Sequence, residues 1–233
     1  MSKNHYSQLG LIVAAAGSSQ RFGLGNKLLQ PLRGLPLFCH CLKNLCATDL
    51  PRAIVLVVAA DSEALFSRLL QENLPELAAH TKLVQGGESR DDSVWRGLQA
   101  LPPECEFVAV QDAARPLSSA ALLRRCLEAA LIHGAAVPAH RITDSVKIAD
   151  ENCMISQSLD RNRLWASETP QVIRRDILLE AYKICRKTKK ICTDEAQLLE
   201  EARFGVKLVE NKQANPKITY AQDLTEQDNY KRH

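Results

Sequence analysis

The sequence predicts an α/β fold with a mostly parallel sheet that is flanked by helices on both faces. Short apolar runs of strand length alternate along the chain with segments of helical period, and strands that alternate with helices form parallel sheets covered on both sides. The 233 residues are 45% hydrophobic and 24% charged, which is typical of a globular chain that buries a sizeable core. We therefore expect one domain spanning residues 1–233.

The predicted strands are short runs rich in Val, Ile, Leu and Ala that stop at glycine or polar residues. The first run ends at Gly17 and leads into a loop of the phosphate-binding type, and the fourth leads into Asp112. In chain order, we predict strands at 9–16, 53–60, 82–85, 107–110, 135–139 and 206–209.

The predicted helices carry apolar residues at helical spacing, as Leu37, Cys41 and Leu45 do in the first of them. The pairs Asp61-Ser62 and Ser118-Ser119 precede two helices and are candidate N-caps. In chain order, we predict helices at 36–45, 64–74, 91–101, from the Ser118-Ser119 pair to about 132, 176–185 and 194–204.

This alternation fails between about 141 and 170, a stretch of polar and β-branched residues with little helical period. It is too long for an ordinary connection, so we predict a protruding arm. Trp165 would pack either at the base of the arm or against a second subunit. The arm carries apolar residues that need burial, which predicts a homodimer formed through the same segment of a second copy; they are Ile142, Val146, Ile148, Ile155 and Leu159.

Composition excludes several classes of protein. A net charge of +3 and 5% aromatic residues show no basic stripe for nucleic acid. The longest apolar run, 53–60, has eight residues, far fewer than the roughly 20 that a membrane-spanning helix needs. Residues 1–10 lack the apolar segment of a signal peptide, so we expect a cytoplasmic protein.

The eight cysteines are expected to be reduced and to pack as small hydrophobic residues. They form no C-x-x-C pair and no zinc-ribbon or finger spacing. Cys39, His40 and Cys41 are consecutive, but on a helix three consecutive side chains fan over about 200° and cannot close on one ion.

The loop after the first strand indicates phosphate binding. Small residues from Ala14 to Gly17 allow the backbone to approach a triphosphate closely, and Arg21 and Lys27 follow as cations. The loop is not a Walker A motif, because Lys27 precedes a leucine instead of Ser or Thr. It is not a Rossmann G-x-G-x-x-G either, because Ser19 stands where the second glycine belongs.

Six further segments accompany this loop, and together the seven resemble the methylerythritol phosphate cytidylyltransferase family in order and spacing, from about 11 to 224. The six are GGESRDDS at 86–93, QDAARP at 111–116, DRNRLW at 160–165, TPQ at 169–171, TDEA at 193–196 and NPKIT at 215–219. The resemblance implies a Rossmann-like nucleotidyltransferase that joins CMP from CTP to a polyol phosphate with Mg²⁺ as cofactor. It also implies a homodimer whose arm reaches the neighbouring active site.

The resemblance assigns a role to each matching position. Arg21 and Lys27 would stabilise the transition state, and Lys217 would reach the phosphates of both substrates. The nucleotide would be bound by Ala14, Ala15, Ala16, Gly17, Gly87, Glu88, Ser93, Asp112 and Ala113, with Asp112 also near the metal. The polyol phosphate would face Arg115, Ser145, Arg161, Thr169 and Thr193.

Several alternatives remain open at this stage. The acceptor could be ribitol 5-phosphate, since that family shares most of these motifs, or the chain could be a regulatory module that binds CTP without turnover. Arg90 and Asp91 could form a simple ion pair at a helix start, and Thr193 could be only an N-cap. The sequence also departs from the family pattern at Ser19, where glycine is usual, and at Asn26, where proline is usual.

Overall fold

The computed structural model describes residues 5–23, 25–188 and 190–229. These residues contain one eight-stranded sheet and two separate two-stranded sheets. The strands are β1 Leu9–Ala15, β2 Pro31–Leu32, β3 Leu35–Pro36, β4 Ala53–Val58, β5 Thr81–Gln85, β6 Phe107–Asp112, β7 Ala135–Arg141, β8 Lys147–Ala149, β9 Ile155–Ser158, β10 Trp165–Ser167, β11 Gln171–Arg174 and β12 Lys207–Glu210.

The helices lie mostly where the periodicity predicts them. They are α1 Leu37–Leu45, α2 Glu63–Asn73, α3 Pro75–His80, α4 Arg90–Ala100, α5 Ala120–His133, α6 Arg175–Thr188, α7 Glu195–Glu201 and α8 Ala221–Asn229. α3 and α8 are additions to the prediction. No helix among these residues is long and apolar enough to cross a lipid bilayer.

The main sheet is mixed but mostly parallel, as predicted. β5, β4, β1 and β6 are neighbours in that order and all run parallel. β11 then pairs antiparallel with both β6 and β7, and β7 pairs further with β10 and with the parallel strand β12. The antiparallel β11 was not predicted, because its four residues directly follow the irregular arm.

Two hydrophobic clusters cover the two faces of the sheet, which confirms the predicted layers. Alternate residues of β1 belong to different clusters, because successive strand side chains point to opposite faces. Leu11 and Val13 pack with α1 and α5 on one face. Ile12 packs with α4 and α6 on the other. Parallel strands that are buried on both faces are nearly all apolar, as β1 and β4 are.

Of the two predicted N-cap pairs, only Ser118-Ser119 provides a side-chain cap. The Ser62 side chain makes no cap bond, and its hydroxyl donates instead to Asp61 Oδ1 at 2.9 Å. Ser119 does cap α5 by accepting from the Leu122 N–H at 3.2 Å. Ser118 is buried and donates to Asn215 Oδ1 at 2.9 Å, so it connects loops near the sheet edge rather than capping the helix.

The predicted arm contains a hairpin of β8 and β9 whose strand side chains are all exposed. Ile148 is 44% exposed and Ile155 is 66% exposed. Trp165 lies at the base, in β10, where the Arg141 guanidinium stacks 4.3 Å from the centre of its ring. Trp165 therefore packs at the base of the arm, which is the first of its two predicted environments.

Most of the cysteines pack in the core as small hydrophobic residues. Cys39 and Cys41 are fully buried on α1, and burial raises the pKa of Cys39 to about 12, so its thiol is protonated at neutral pH. Cys153, in the turn of the arm hairpin, is exposed.

Candidate active site

A cleft of about 610 Å³ opens at the carboxyl ends of β1 and β6, where open α/β sheets bind ligands. Segments from four parts of the chain meet there. The predicted site residues that line it are Ala14, Ala16, Gly17, Arg21, Lys27, Gly87, Glu88, Ser93, Asp112 and Lys217. Two predicted nucleotide-binding residues do not line it: Ala15 points into the core, and Ala113 is buried with its N–H donating to the Ala14 carbonyl at 3.1 Å.

The phosphate-type loop after β1 is open at Gly17, where a Cβ atom would meet nothing within 4 Å. Ser19 adopts the left-handed conformation, with φ of 54°, which explains why glycine suits this position. Its hydroxyl accepts from the Lys27 N–H at 3.3 Å. Asn26 accepts from the Leu28 N–H at 3.0 Å and begins the short helix that carries Lys27. Side-chain hydrogen bonds thus hold this loop where the family pattern uses glycine and proline.

The loop between β5 and α4 lies directly against the phosphate-type loop that follows β1. A Cβ atom on Gly86 would come within 2.4 Å of the Ala16 Cβ, so only glycine allows this approach. Ser93 donates to the Ser89 carbonyl at 2.8 Å and accepts from the Gly87 N–H at 3.1 Å. Ser93 is therefore a buried brace for the loop that carries Gly87 and Glu88, two of the predicted nucleotide-binding residues.

Asp112 is the last residue of β6, and its carboxylate pairs with two cationic side chains. Its Oδ1 lies 3.3 Å from Arg90 Nε, and its Oδ2 lies 2.7 Å from Lys217 Nζ. The Asp112 N–H donates to the Thr169 hydroxyl at 3.1 Å. Burial alone would raise the pKa of Asp112, but Arg90 and Lys217 outweigh it and the pKa falls to about 2. The carboxylate is therefore ionised throughout the physiological range of pH.

Arg90 links this carboxylate to a second one on α7. Its guanidinium donates to both oxygens of Glu195, at 2.9 Å and 3.0 Å, a bidentate geometry that is among the stronger hydrogen-bonded pairs. Glu195 is 1% exposed, and burial raises the pKa of its carboxyl while Arg90 opposes that rise. Arg90 thus crosses the fold to Asp112 and Glu195, in place of the simple helix-start pair with Asp91 that the sequence left open.

Lys27 is half-buried beside two other cations. Its Nζ donates to the Ile218 carbonyl at 2.6 Å. Burial lowers the pKa of Lys27, and the nearby charges of Lys217 and Arg21 lower it further. A polyanion in the cleft would relieve this repulsion, so the three cations favour the binding of a phosphate chain.

A smaller pocket of about 170 Å³ adjoins the cleft and shares Arg90, Asp112 and Lys217 with it. Three of the five residues predicted to face the polyol phosphate line this pocket: Arg115, Thr169 and Thr193. The Arg115 Nη1 donates to the Asn215 carbonyl at 2.6 Å, and burial lowers the pKa of Arg115.

The other two predicted acceptor residues lie on the arm and do not line this pocket. Ser145 is exposed, and the exposed Arg161 donates to the Thr143 carbonyl at 2.7 Å. Thr193 is not the N-cap of α7: that residue is Asp194, which accepts from the Gln197 N–H at 2.9 Å.

Sequence reasoning missed the residues that hold these loops together. Glu195, Glu168, Ser118 and Asn215 are all polar and buried. Glu195 lies within the recognised segment TDEA, and Glu168 directly precedes the segment TPQ, but an acidic residue in a sequence carries no signal of burial before its fold is known.

Known proteins are similar to this chain over nearly its whole length. A sequence model of the family described as 2-C-methyl-D-erythritol 4-phosphate cytidylyltransferase (IspD) matches residues 9–233. A relative from Pelotomaculum thermopropionicum, named 2-C-methyl-D-erythritol 4-phosphate cytidylyltransferase, is 37% identical over 219 residues, or 94% of this chain and 92% of the relative.

Solved structures show the same fold. The crystal structure of 4-diphosphocytidyl-2C-methyl-D-erythritol synthase from Anaerococcus prevotii has a TM-score of 0.82 and 25% identity, covering 95% of this chain and 97% of that one. The crystal structure of 2-C-methyl-D-erythritol 4-phosphate cytidylyltransferase from Thermus thermophilus has a TM-score of 0.78 and 27% identity, covering 95% and 98%.

Replacing Arg90 tests the ion-pair network that it forms with Asp112 and Glu195. We expect Arg90→Met to lower the free energy of unfolding by about 3–5 kcal/mol at neutral pH, because Glu195 would stay buried without its cation. Since burial raises the pKa of Glu195, the loss should shrink as the pH falls and this carboxyl becomes neutral. Urea unfolding at several pH values measures both effects. Arg90→Met combined with Glu195→Gln should recover part of the loss, and a single-variant loss below ~1 kcal/mol would contradict the account.

Proposed function

The chain belongs to the 2-C-methyl-D-erythritol 4-phosphate cytidylyltransferase family, and on that premise we propose that it transfers CMP from CTP to 2-C-methyl-D-erythritol 4-phosphate, releasing pyrophosphate, in the synthesis of isoprenoid precursors. The observation that carries the proposal is the convergence of Arg21, Lys27 and Lys217 on one cleft beside the ionised Asp112. We also propose a cytoplasmic location, as the sequence predicts.

The reaction is an in-line displacement at the α-phosphorus of CTP. A phosphate oxygen of the acceptor forms the new P–O bond while the bond to the bridging oxygen of pyrophosphate breaks, and the electron pair leaves with pyrophosphate. The attacking phosphate is already ionised at neutral pH, so it needs no general base. Among the described residues that line the cleft and the adjoining pocket there is no histidine, which suits this chemistry.

The protein contributes positioning and electrostatic stabilisation. Negative charge that builds on the phosphates meets Arg21, Lys27 and Lys217. The open backbone at Gly17 lets the triphosphate approach, and the loop braced by Ser93 shapes the base pocket. The acceptor phosphate lies on the side of Arg115 and Thr193, so Lys217 stands between the two substrates.

A Mg²⁺ ion fits this site as a companion of the nucleotide. No group of three or more His, Cys, Asp or Glu side chains able to hold a metal occurs in the described ranges. Mg²⁺ commonly takes one or two carboxylates together with substrate phosphates and water. Asp112 would supply the carboxylate, since it is ionised and lines the cleft. When bound, the ion would neutralise part of the charge of the triphosphate.

We propose that the arm forms a homodimer and completes the acceptor pocket of the partner subunit. Ile148, Met154 and Ile155 expose apolar surface on the hairpin, and such surface usually marks an interface. Ser145 and Arg161 lie away from their own acceptor pocket, so a two-fold arrangement would let them act in the neighbouring one.

The function is tested by pyrophosphate release from CTP with each acceptor. We expect turnover with 2-C-methyl-D-erythritol 4-phosphate and much slower turnover with ribitol 5-phosphate. A preference for ribitol 5-phosphate would overturn the acceptor but leave the chemistry, and CTP binding without pyrophosphate release would indicate a regulatory module.

Two variants are the controls for this assay. Arg21→Ala and Lys27→Ala should each lower kcat by about 10²-fold or more, with a smaller effect on CTP affinity, because these cations act mainly on charge that develops in the transition state. Near wild-type kcat with a large rise in KM for CTP would show that the pair only anchors the substrate.

Mixed dimers test the arm. Lys27→Ala chains and Arg161→Ala chains should each be nearly inactive alone. If Arg161 acts across the interface, random mixing restores one complete site in half of the dimers, or about one quarter of wild-type activity. A monomer in sedimentation, or no recovery after proven subunit exchange, would contradict the proposal.

A further inference from the structure

Glu168 is a buried carboxylate that none of the predicted roles includes. It lies between β10 and β11, directly before Thr169, and is 2% exposed. Its Oε2 accepts from Asn211 Nδ2 at 2.8 Å and from Asn215 Nδ2 at 2.9 Å. Its Oε1 lies 2.6 Å from Nδ1 of the largely exposed His140. A charged group this deeply buried is costly unless its hydrogen bonds are satisfied.

The two asparagines bracket the loop that leads from β12 to Lys217. Asn211 follows β12 directly, and its N–H donates to the Ala139 carbonyl at 2.8 Å. Asn215 stands two residues before Lys217, and its amide also donates to the Thr169 carbonyl at 3.0 Å. Residues 211–217 contain no helix or strand, so side-chain bonds of this kind determine the path of the loop.

This loop supports three of the predicted site cations. Lys217 reaches Asp112 at 2.7 Å. The Asn215 carbonyl accepts from Arg115 at 2.6 Å, and the carbonyl of Ile218 accepts from Lys27 at 2.6 Å. Of the three, only Lys217 belongs to this loop, whereas Lys27 lies on its own short helix and Arg115 follows β6. Moving the loop would therefore displace Lys217 directly.

We propose that Glu168 is a positioning residue for the reaction: its carboxylate clamps Asn211 and Asn215 and thereby sets the position of Lys217 between the two substrates. This inference rests on the proposed function. Both asparagines donate to the same carboxylate oxygen, Oε2, while Oε1 faces His140. Glutamine has nearly the same shape, but its neutral carbonyl is a weaker acceptor than a carboxylate oxygen, and its amide group would stand where Oε1 faces His140. It therefore holds the two asparagines less firmly.

A double-mutant cycle on pyrophosphate release tests the clamp. Glu168→Gln should lower kcat by about 10-fold to 10²-fold, the range that a small misplacement of a reacting group can cost, with little change in the KM for CTP. In a Lys217→Ala background, the same change should cost no more than about twofold further. Glu106→Gln, an exposed position bonded to Gln8, is the matched control and should leave kcat unchanged.

A second readout does not depend on turnover. Acetylation of lysines by acetic anhydride, followed by mass spectrometry, should modify Lys217 faster in Glu168→Gln than in the wild type, relative to the exposed Lys43, because the pair with Asp112 loosens. If the wild type releases no pyrophosphate, the proposed function fails while this measurement still tests the clamp. If Glu168→Gln does not fold, Asn211→Ala removes one clamped amide and should show the same pattern.

Two results would overturn the proposal. One is a full multiplicative loss when Glu168→Gln is added to Lys217→Ala, which would mean that Glu168 acts independently of Lys217. The other is an unchanged rate of Lys217 acetylation in a folded Glu168→Gln protein, which would reduce Glu168 to a structural residue.

Discussion

The ionised Asp112 carboxylate at the end of β6 is the constraint on which the site depends. It is 8% exposed, and a buried charge is tolerated only when it is paired and hydrogen-bonded. Its partners come from distant parts of the chain: Arg90 begins α4, and Lys217 follows β12. Arg90 also forms an ion pair with Glu195 at the start of α7. One charge therefore organises segments that the sheet alone does not connect.

The rest of the fold brings these groups to the same place. The parallel strands β1, β4, β5 and β6 end at one edge, so the loops that follow them converge. Close packing then narrows the site, since Gly86 lies against Ala16 with no room for a side chain. The hydrogen bonds of Glu168 with Asn211 and Asn215 hold the loop after β12, which carries Lys217, against the same site. Structure and electrostatics thus converge on a cleft suited to two phosphate-bearing substrates.

Features that arise from local patterns could be predicted from the sequence. β1 and β4 are apolar runs buried on both faces, and Ser119 caps α5 as its residue type suggests. β11 could not be predicted, because four residues after an irregular arm carry no period. The Asp112–Arg90–Glu195 network is non-local: Arg90 and Glu195 are 105 residues apart, and the adjacent Asp91 offered Arg90 a simpler partner. Thr169 and Lys217 were assigned by resemblance, but their contacts with Asp112 appear only in the fold.

Arg90 and Lys217 hold Asp112 ionised within the cleft. The most direct measurement is a carbon-detected NMR titration of the side-chain carboxyls, with the Asp112 signal assigned by its absence in Asp112→Asn. We expect this carboxyl to stay ionised from neutral pH down to pH 4, in keeping with a pKa of about 2, and we expect its pKa to rise in Lys217→Ala. A midpoint at or above the ordinary aspartate value of 3.8 in the wild type would contradict this expectation.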